Sequence, residues 1–175
     1  MKPTIHEAAR QLEDRGLLTR VQADNSVEII EHVRQVLGKD LPEDLKAFYR
    51  EGITRLGDFN AILPTGNDRV GWRSGTTMMD CLLAASAVPI FSDGCGSLFG
   101  LDLSAEDATP AVYFFDHEDE FRTPSWAAGS SLATFLLILA DSDRAQSEGW
   151  PLRRELKLDP DLDNCVRAPA IWNAG

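Results

Sequence analysis

Val88-Pro-Ile-Phe91, Ser92-Asp-Gly-Cys-Gly96 and Ser97-Leu-Phe-Gly-Leu-Asp-Leu-Ser104, with Pro110-Ala-Val-Tyr-Phe-Phe-Asp-His117 beyond a polar gap, decide the fold. Three short runs rich in β-branched and aromatic residues are punctuated by Gly, Asp, Ser and Pro, which is the pattern of a meander of strands. Gly94 and Gly96 permit the positive φ that a tight or bulged hairpin between the first two runs needs. Alternation places Phe99, Leu101 and Leu103 on one face of a strand, with Asp102 and Ser104 on the other. Val112 to Phe115 is continuously apolar and suits a central strand covered on both faces. On this reading, everything before and after the sheet is helix laid against it.

Upstream, Ile5, Ala8, Ala9 and Leu12 form one stripe of a helix over Thr4 to Arg15, with Gly16 as its stop. Val27, Ile29, Ile30, Val33, Val36 and Leu37 mark a second helix, opened by Asn25-Ser26 and closed by Gly38. Leu41-Pro42-Glu43-Asp44 starts a third, with Pro42 at its first position and the two acids at the positive end of the dipole. Residues 53–87 carry weaker signals: short strands at Asn60 to Pro64 and Val70 to Trp72, and a short helix over Thr77 to Ala87. Downstream, Ser130-Ser131 caps a helix from Leu132 to Ala140 that is apolar nearly all round and therefore buried. A further short helix is expected near Leu152 to Leu156, followed by an irregular tail.

The 175 residues suffice for one domain with a proper core, and 43% hydrophobic and 26% charged residues are ordinary for a soluble globular protein. No apolar run reaches the roughly 18 residues of a membrane span. Met1 to Glu7 has no apolar stretch of the kind that opens a secretory signal. Three scattered cysteines, Cys81, Cys95 and Cys165, make no CxxC pair and no disulfide framework, so a reducing cytoplasm is the expected location. A net charge of −11 argues against binding a phosphate backbone and permits attraction to a basic protein, although solubility alone accounts for it. The charge is also segregated. From Arg73 to Arg122 there is no intervening Lys or Arg, while Asp80, Asp93, Asp102, Glu106, Asp107, Asp116, Glu118, Asp119 and Glu120 fall in that interval.

The order of pieces resembles a known family. A Leu41-Pro-x-x-Leu45-x-x-Phe48-Tyr49 helix with Gly52 behind it precedes the Pro89-Ile-Phe-Ser-Asp-Gly-x-Gly96 hairpin. Phe99-x-Leu-Asp-Leu103, Pro110-x-Val-Tyr-x-x-Asp-His117 and a Ser131 to Leu136 helix follow. The ordered set is similar to the SUKH superfamily, which includes fungal cell-wall synthesis regulators and many bacterial immunity proteins. The similarity covers roughly residues 27–141 and leaves 142–175 as an extension. It implies an α+β domain with a mostly antiparallel sheet, N-terminal helices, a buried C-terminal helix and no enzymatic chemistry. Bacterial members of the superfamily neutralise toxins, often nucleases or deaminases, by direct binding.

Each pattern that could carry chemistry has a blander explanation. Asp93, Cys95 and His117 supply the residue types of a Cys/His hydrolase, but no signature surrounds Cys95. His117 beside Asp116, Glu118, Asp119 and Glu120 lacks zinc-ligand spacing and reads better as a solvated acidic turn. Asp159-Pro-Asp161-Leu-Asp163-Asn164 mimics the start of a calcium loop, yet Asn164 and Ala170 stand where Gly and Glu are required. Phosphate-loop, Gly-x-Ser-x-Gly and His-Glu-x-x-His motifs are absent. No cofactor and no metal is therefore expected. Among Trp72, Trp126, Trp150 and Trp172, an exposed interface anchor is expected at Trp72 or Trp172. Three readings remain open. The first is an immunity protein presenting Asp102, Glu106, Asp116, Glu118, Asp119, Glu120 and Trp72 to a basic toxin domain, without nucleic acid or membrane as partner. The second is a regulatory scaffold with another protein partner. The third is a hydrolase using Cys95 and His117.

Overall fold

The structure, a computed structural model, describes residues 2–21, 25–64, 77–104, 109–148, 154–165 and 167. Among the described residues, seven strands form one antiparallel sheet whose spatial order equals chain order: β1 Leu18–Arg20, β2 Ile53–Leu56, β3 Phe59–Ala61, β4 Ala87–Ser92, β5 Leu98–Asp102, β6 Val112–Phe115 and β7 Trp126–Gly129. The helices are α1 Ile5–Asp14, α2 Ser26–Leu37, α3 Glu43–Arg50, α4 Thr77–Ala84, α5 Leu132–Glu148 and α6 Arg154–Leu158, with a 3-10 turn at Leu162–Asn164. The α+β class and the antiparallel sheet agree with the sequence. The meander is wider than its legible centre, however, and strands as well as helices flank it.

The reason lies in local composition. β1 and β2 have three or four residues each and carry Thr19, Arg20, Thr54 and Arg55, so alternation has too little length to show, while β3 overlaps the short strand expected over Asn60 to Pro64 only at Asn60 and Ala61. β7 is Trp-Ala-Ala-Gly, without a β-branched residue. Its pairing with β6 is imposed by tertiary context, which overrides weak strand propensity. The fifth helix also runs on past Ala140 to Glu148. Val70 to Trp72 lies outside the described residues.

Both faces of the sheet are covered. One carries Phe91, Phe99, Leu101 and Val112 beneath Leu12, Val33, Leu45, Phe48, Phe135 and Leu136 of the helices. The other carries Leu98, Tyr113, Phe115 and Ala127 beneath Leu82, Ala85 and Leu162. The last of these belongs to the C-terminal extension, so residues 154–165 complete the second layer. The helix starts differ from the sequence expectation in two places: Asn25 makes no side-chain hydrogen bond at the start of α2, and Pro42 is the N-cap of α3, one residue before its first helical position. Thr4 and Glu7 make a reciprocal capping box on α1. At α5, Ser131 Oγ accepts from Thr134 N at 3.2 Å while Thr134 Oγ1 accepts from Ser131 N at 3.2 Å.

Gly129, at the turn from β7 into α5, is fixed by close approach. A Cβ there would sit 2.6 Å from Phe135 Cβ and 2.9 Å from its backbone nitrogen. Backbone cannot yield as a flexible side chain can. Gly129→Ala is expected to lower stability by about 1–3 kcal/mol, the usual penalty of overpacking, as read from the urea midpoint with an unchanged slope.

Candidate protein-binding end of the sheet

Register sorts the loops into two ends. Leu56 pairs with Leu18 and Phe59, Ser92 with Asn60 and Leu98, Leu98 with Phe115, and Phe114 with Trp126. The connections after β2, β4 and β6 therefore emerge side by side at one end. They bring together Asp58, Asp93, Asp116, Glu118, Asp119 and Glu120. Asp58 is 89% exposed and Asp116 37% exposed. Two guanidiniums stand among these acids, Arg55 against Asp58 at 3.4 Å and Arg122 against Glu120.

Asp102 does not join this group. It lies at the far end of β5, four residues from Leu98 and thus about 14 Å away. Its carboxylate is only 11% exposed and meets Arg167 Nη1 at 2.8 Å. The same guanidinium donates to Ala85 O at 2.7 Å, so Asp102 ties the extension to the sheet. Six of the seven residues chosen from sequence were expected as one acidic patch, and strand geometry corrects that expectation for Asp102. Glu106 and Trp72 lie outside the described residues, as do Trp150 and Trp172. Asp58, which no charge run marked, joins the group through β2–β3 pairing.

Side-chain acceptors shape the clustered loops. Asp93 Oδ1 accepts from Cys95 N at 2.8 Å and Ser97 N at 3.0 Å, closing the hairpin around Gly94 and Gly96. Asp116 Oδ1 accepts from Glu118 N at 2.9 Å. Glu120 and Phe121 follow with φ of 54° and 58°, a left-handed pair that non-glycine residues rarely adopt. Phe121 tucks against the second core, so the turn projects its carboxylates while its aromatic side chain holds it down.

The hydrolase arrangement can be judged by geometry. His117 Nδ1 lies 2.9 Å from Ser97 Oγ and 3.5 Å from Asp116 Oδ1. A catalytic histidine uses opposite ring nitrogens for nucleophile and orienting acid. Here the hydroxyl and the carboxylate approach the same nitrogen, and Ser97 is buried. Cys95 is exposed at the hairpin tip, and its backbone N–H serves the Asp93 turn. Burial pushes the third thiol, Cys165, up to about 11, which leaves it protonated at neutral pH.

Aromatic rings border the acidic loops. Phe99, 4% exposed, has its ring centroid 5.9 Å from Phe59, 5.3 Å from Phe114 and 5.9 Å from Trp126. Phe114 and Trp126 stack at 4.8 Å with an interplanar angle of 14°. Phe59, Phe114 and Trp126 are half-buried.

Among the described residues no helix is long and apolar enough to cross a membrane. No curated protein and no solved structure matches the chain. The Leu-Pro helix, the Asp-Gly hairpin and the Asp-His strand end all occupy structural positions in the meander and its helical cover. The SMI1 / KNR4 family (SUKH-1) model spans these same elements, matching residues 25–137, and the chain belongs to that family.

Proposed function

We propose that this chain is a non-catalytic immunity module that binds and neutralises a basic toxin domain of the nuclease or deaminase type. It acts as one cytoplasmic domain over residues 1–175. The observation that carries the reading is the convergence of Asp58, Asp93, Asp116, Glu118, Asp119 and Glu120 on one end of the sheet. Negative loops steer a positively charged partner and speed encounter. Covering the toxin's substrate groove is sufficient, so no nucleophile or metal is required of the inhibitor. Membership of a family with immunity proteins supports the same reading.

The test is co-expression with a nuclease or deaminase toxin domain taken from the genes flanking this one. Growth is expected to be restored, and the two chains are expected to elute together on size exclusion. Cys95→Ala is expected to protect as well as the parent, which would remove the hydrolase. Absence of both protection and complex would sink the immunity reading and favour a regulatory scaffold with a different protein partner.

A further inference from the structure

We infer that the stacked Phe114 and Trp126 rings are the seat for an arginine side chain of a basic protein partner. This inference deepens the functional reading above and rests on it. Four rings meet around Phe99, and Phe135 of α5 seals one side at 5.0 Å. The remaining three are half-buried and lie at the acid-lined end of the sheet. Asp58 precedes Phe59 in the chain, and Asp116 follows Phe114 by two residues. An aromatic face beside carboxylates presents two complementary surfaces at once.

The chemistry selects the occupant. A guanidinium stacks flat on an aromatic face and donates in its own plane to carboxylates. A lysine ammonium is a compact, strongly hydrated charge and uses the ring less well. A nucleic-acid base would stack too, but its phosphates would meet Asp58, Asp116 and Glu118. A second copy of this chain would bring its own net charge of −11 to an acidic surface. An arginine on a basic loop satisfies both rings and acids.

The experiment uses the full chain, isotope-labelled, at low ionic strength. It is titrated separately with nona-arginine, nona-lysine and a nine-nucleotide single-stranded DNA. The indole N–H resonance of Trp126 is assigned by its loss in Trp126→Phe. Nona-arginine is expected to move that resonance and to bind about 5- to 10-fold tighter than nona-lysine, the scale of a partly desolvated cation–π contact. Phe114→Leu, checked for an intact amide spectrum, is expected to shrink that preference to about 2-fold or less. Equal affinities for the two peptides, a Trp126 resonance that never moves, or a matching response to DNA would each overturn the inference. Toxin protection that persists alongside such a result would leave the immunity reading standing. An arginine preference without toxin protection would retain the seat and remove that reading.

Discussion

Asp159→Ala is expected to destabilise the fold by about 3–5 kcal/mol, more than any surface change in the chain, because it strips a buried carboxylate from several donors. Asp159 is fully buried. Its Oδ2 accepts from Ser130 N at 2.6 Å and from Thr134 Oγ1 at 2.8 Å, and its Oδ1 accepts from Ser130 Oγ. These groups sit at the start of α5, where the helix dipole also favours negative charge. Removing the carboxylate leaves donors buried without an acceptor and empties the space between α5 and the extension. At about 2–4 °C per kcal/mol for a chain of this size, the melting temperature should fall by roughly 10 °C. Asp159→Asn is expected to recover only part of the loss, because its amide turns one acceptor into a donor facing donors. Asp161→Asn is the control. Its carboxylate is 54% exposed, its partner Lys2 lies 3.3 Å away, and exposed pairs contribute little. A urea midpoint for Asp159→Ala close to the parent's would show that the extension is not anchored as described.

The second large effect falls on binding. Reversing Asp58, Glu118 and Asp119 together to lysine is expected to weaken partner affinity by about 100- to 1,000-fold. Most of the loss should appear in the association rate, with a flatter salt dependence, as for charges at an interface rim. These three are chosen because they are exposed and no loop depends on their carboxylates. Asp93 and Asp116 are spared because they accept the backbone N–H groups that close the turns. Asp102→Asn separates charge from architecture. It is expected to lower stability by loosening Arg167 while leaving affinity within about 3-fold, since it stands at the opposite end of the sheet. Surface plasmon resonance against the toxin domain reads both variants. A triple reversal that binds like the parent would remove the acidic end from the interface.

Legibility of the fold followed the length of each pattern. β5 and β6 were readable because Leu98 to Leu103 and Val112 to Phe115 are long enough for alternation or continuous burial to appear. α1 to α3 were readable from their stripes and stops. β1, β2 and β7 were not, because three or four residues with Thr, Arg, Ala and Gly carry no period. The acidic end was legible in composition and misassembled in space. Charge runs gave Asp116 to Glu120, but proximity along the chain cannot tell one end of β5 from the other. That is why Asp102 was grouped wrongly and Asp58 overlooked. The Asp159 to Asn164 stretch lacks the Gly and Glu of a calcium loop, and its first residue is a structural anchor. An isolated aspartate gives no sign of the helix start it will meet. Trp126 is one of four candidate anchors in the sequence and nothing there singles it out, since its ring neighbours Phe99 and Phe114 come from two other strands.

Because the sheet is laid down in the order in which the strands are synthesised, each strand can zip onto a neighbour that has already left the ribosome. The exception is the far side of that sheet. Tyr113 and Phe115 stay uncapped by Leu162 until residues 154–165 have emerged, and only then can Asp159 dock. A nascent chain from which residues up to about 150 have emerged would display an apolar surface that chaperones can grip, and the emergence of residues 154–165 would cover it.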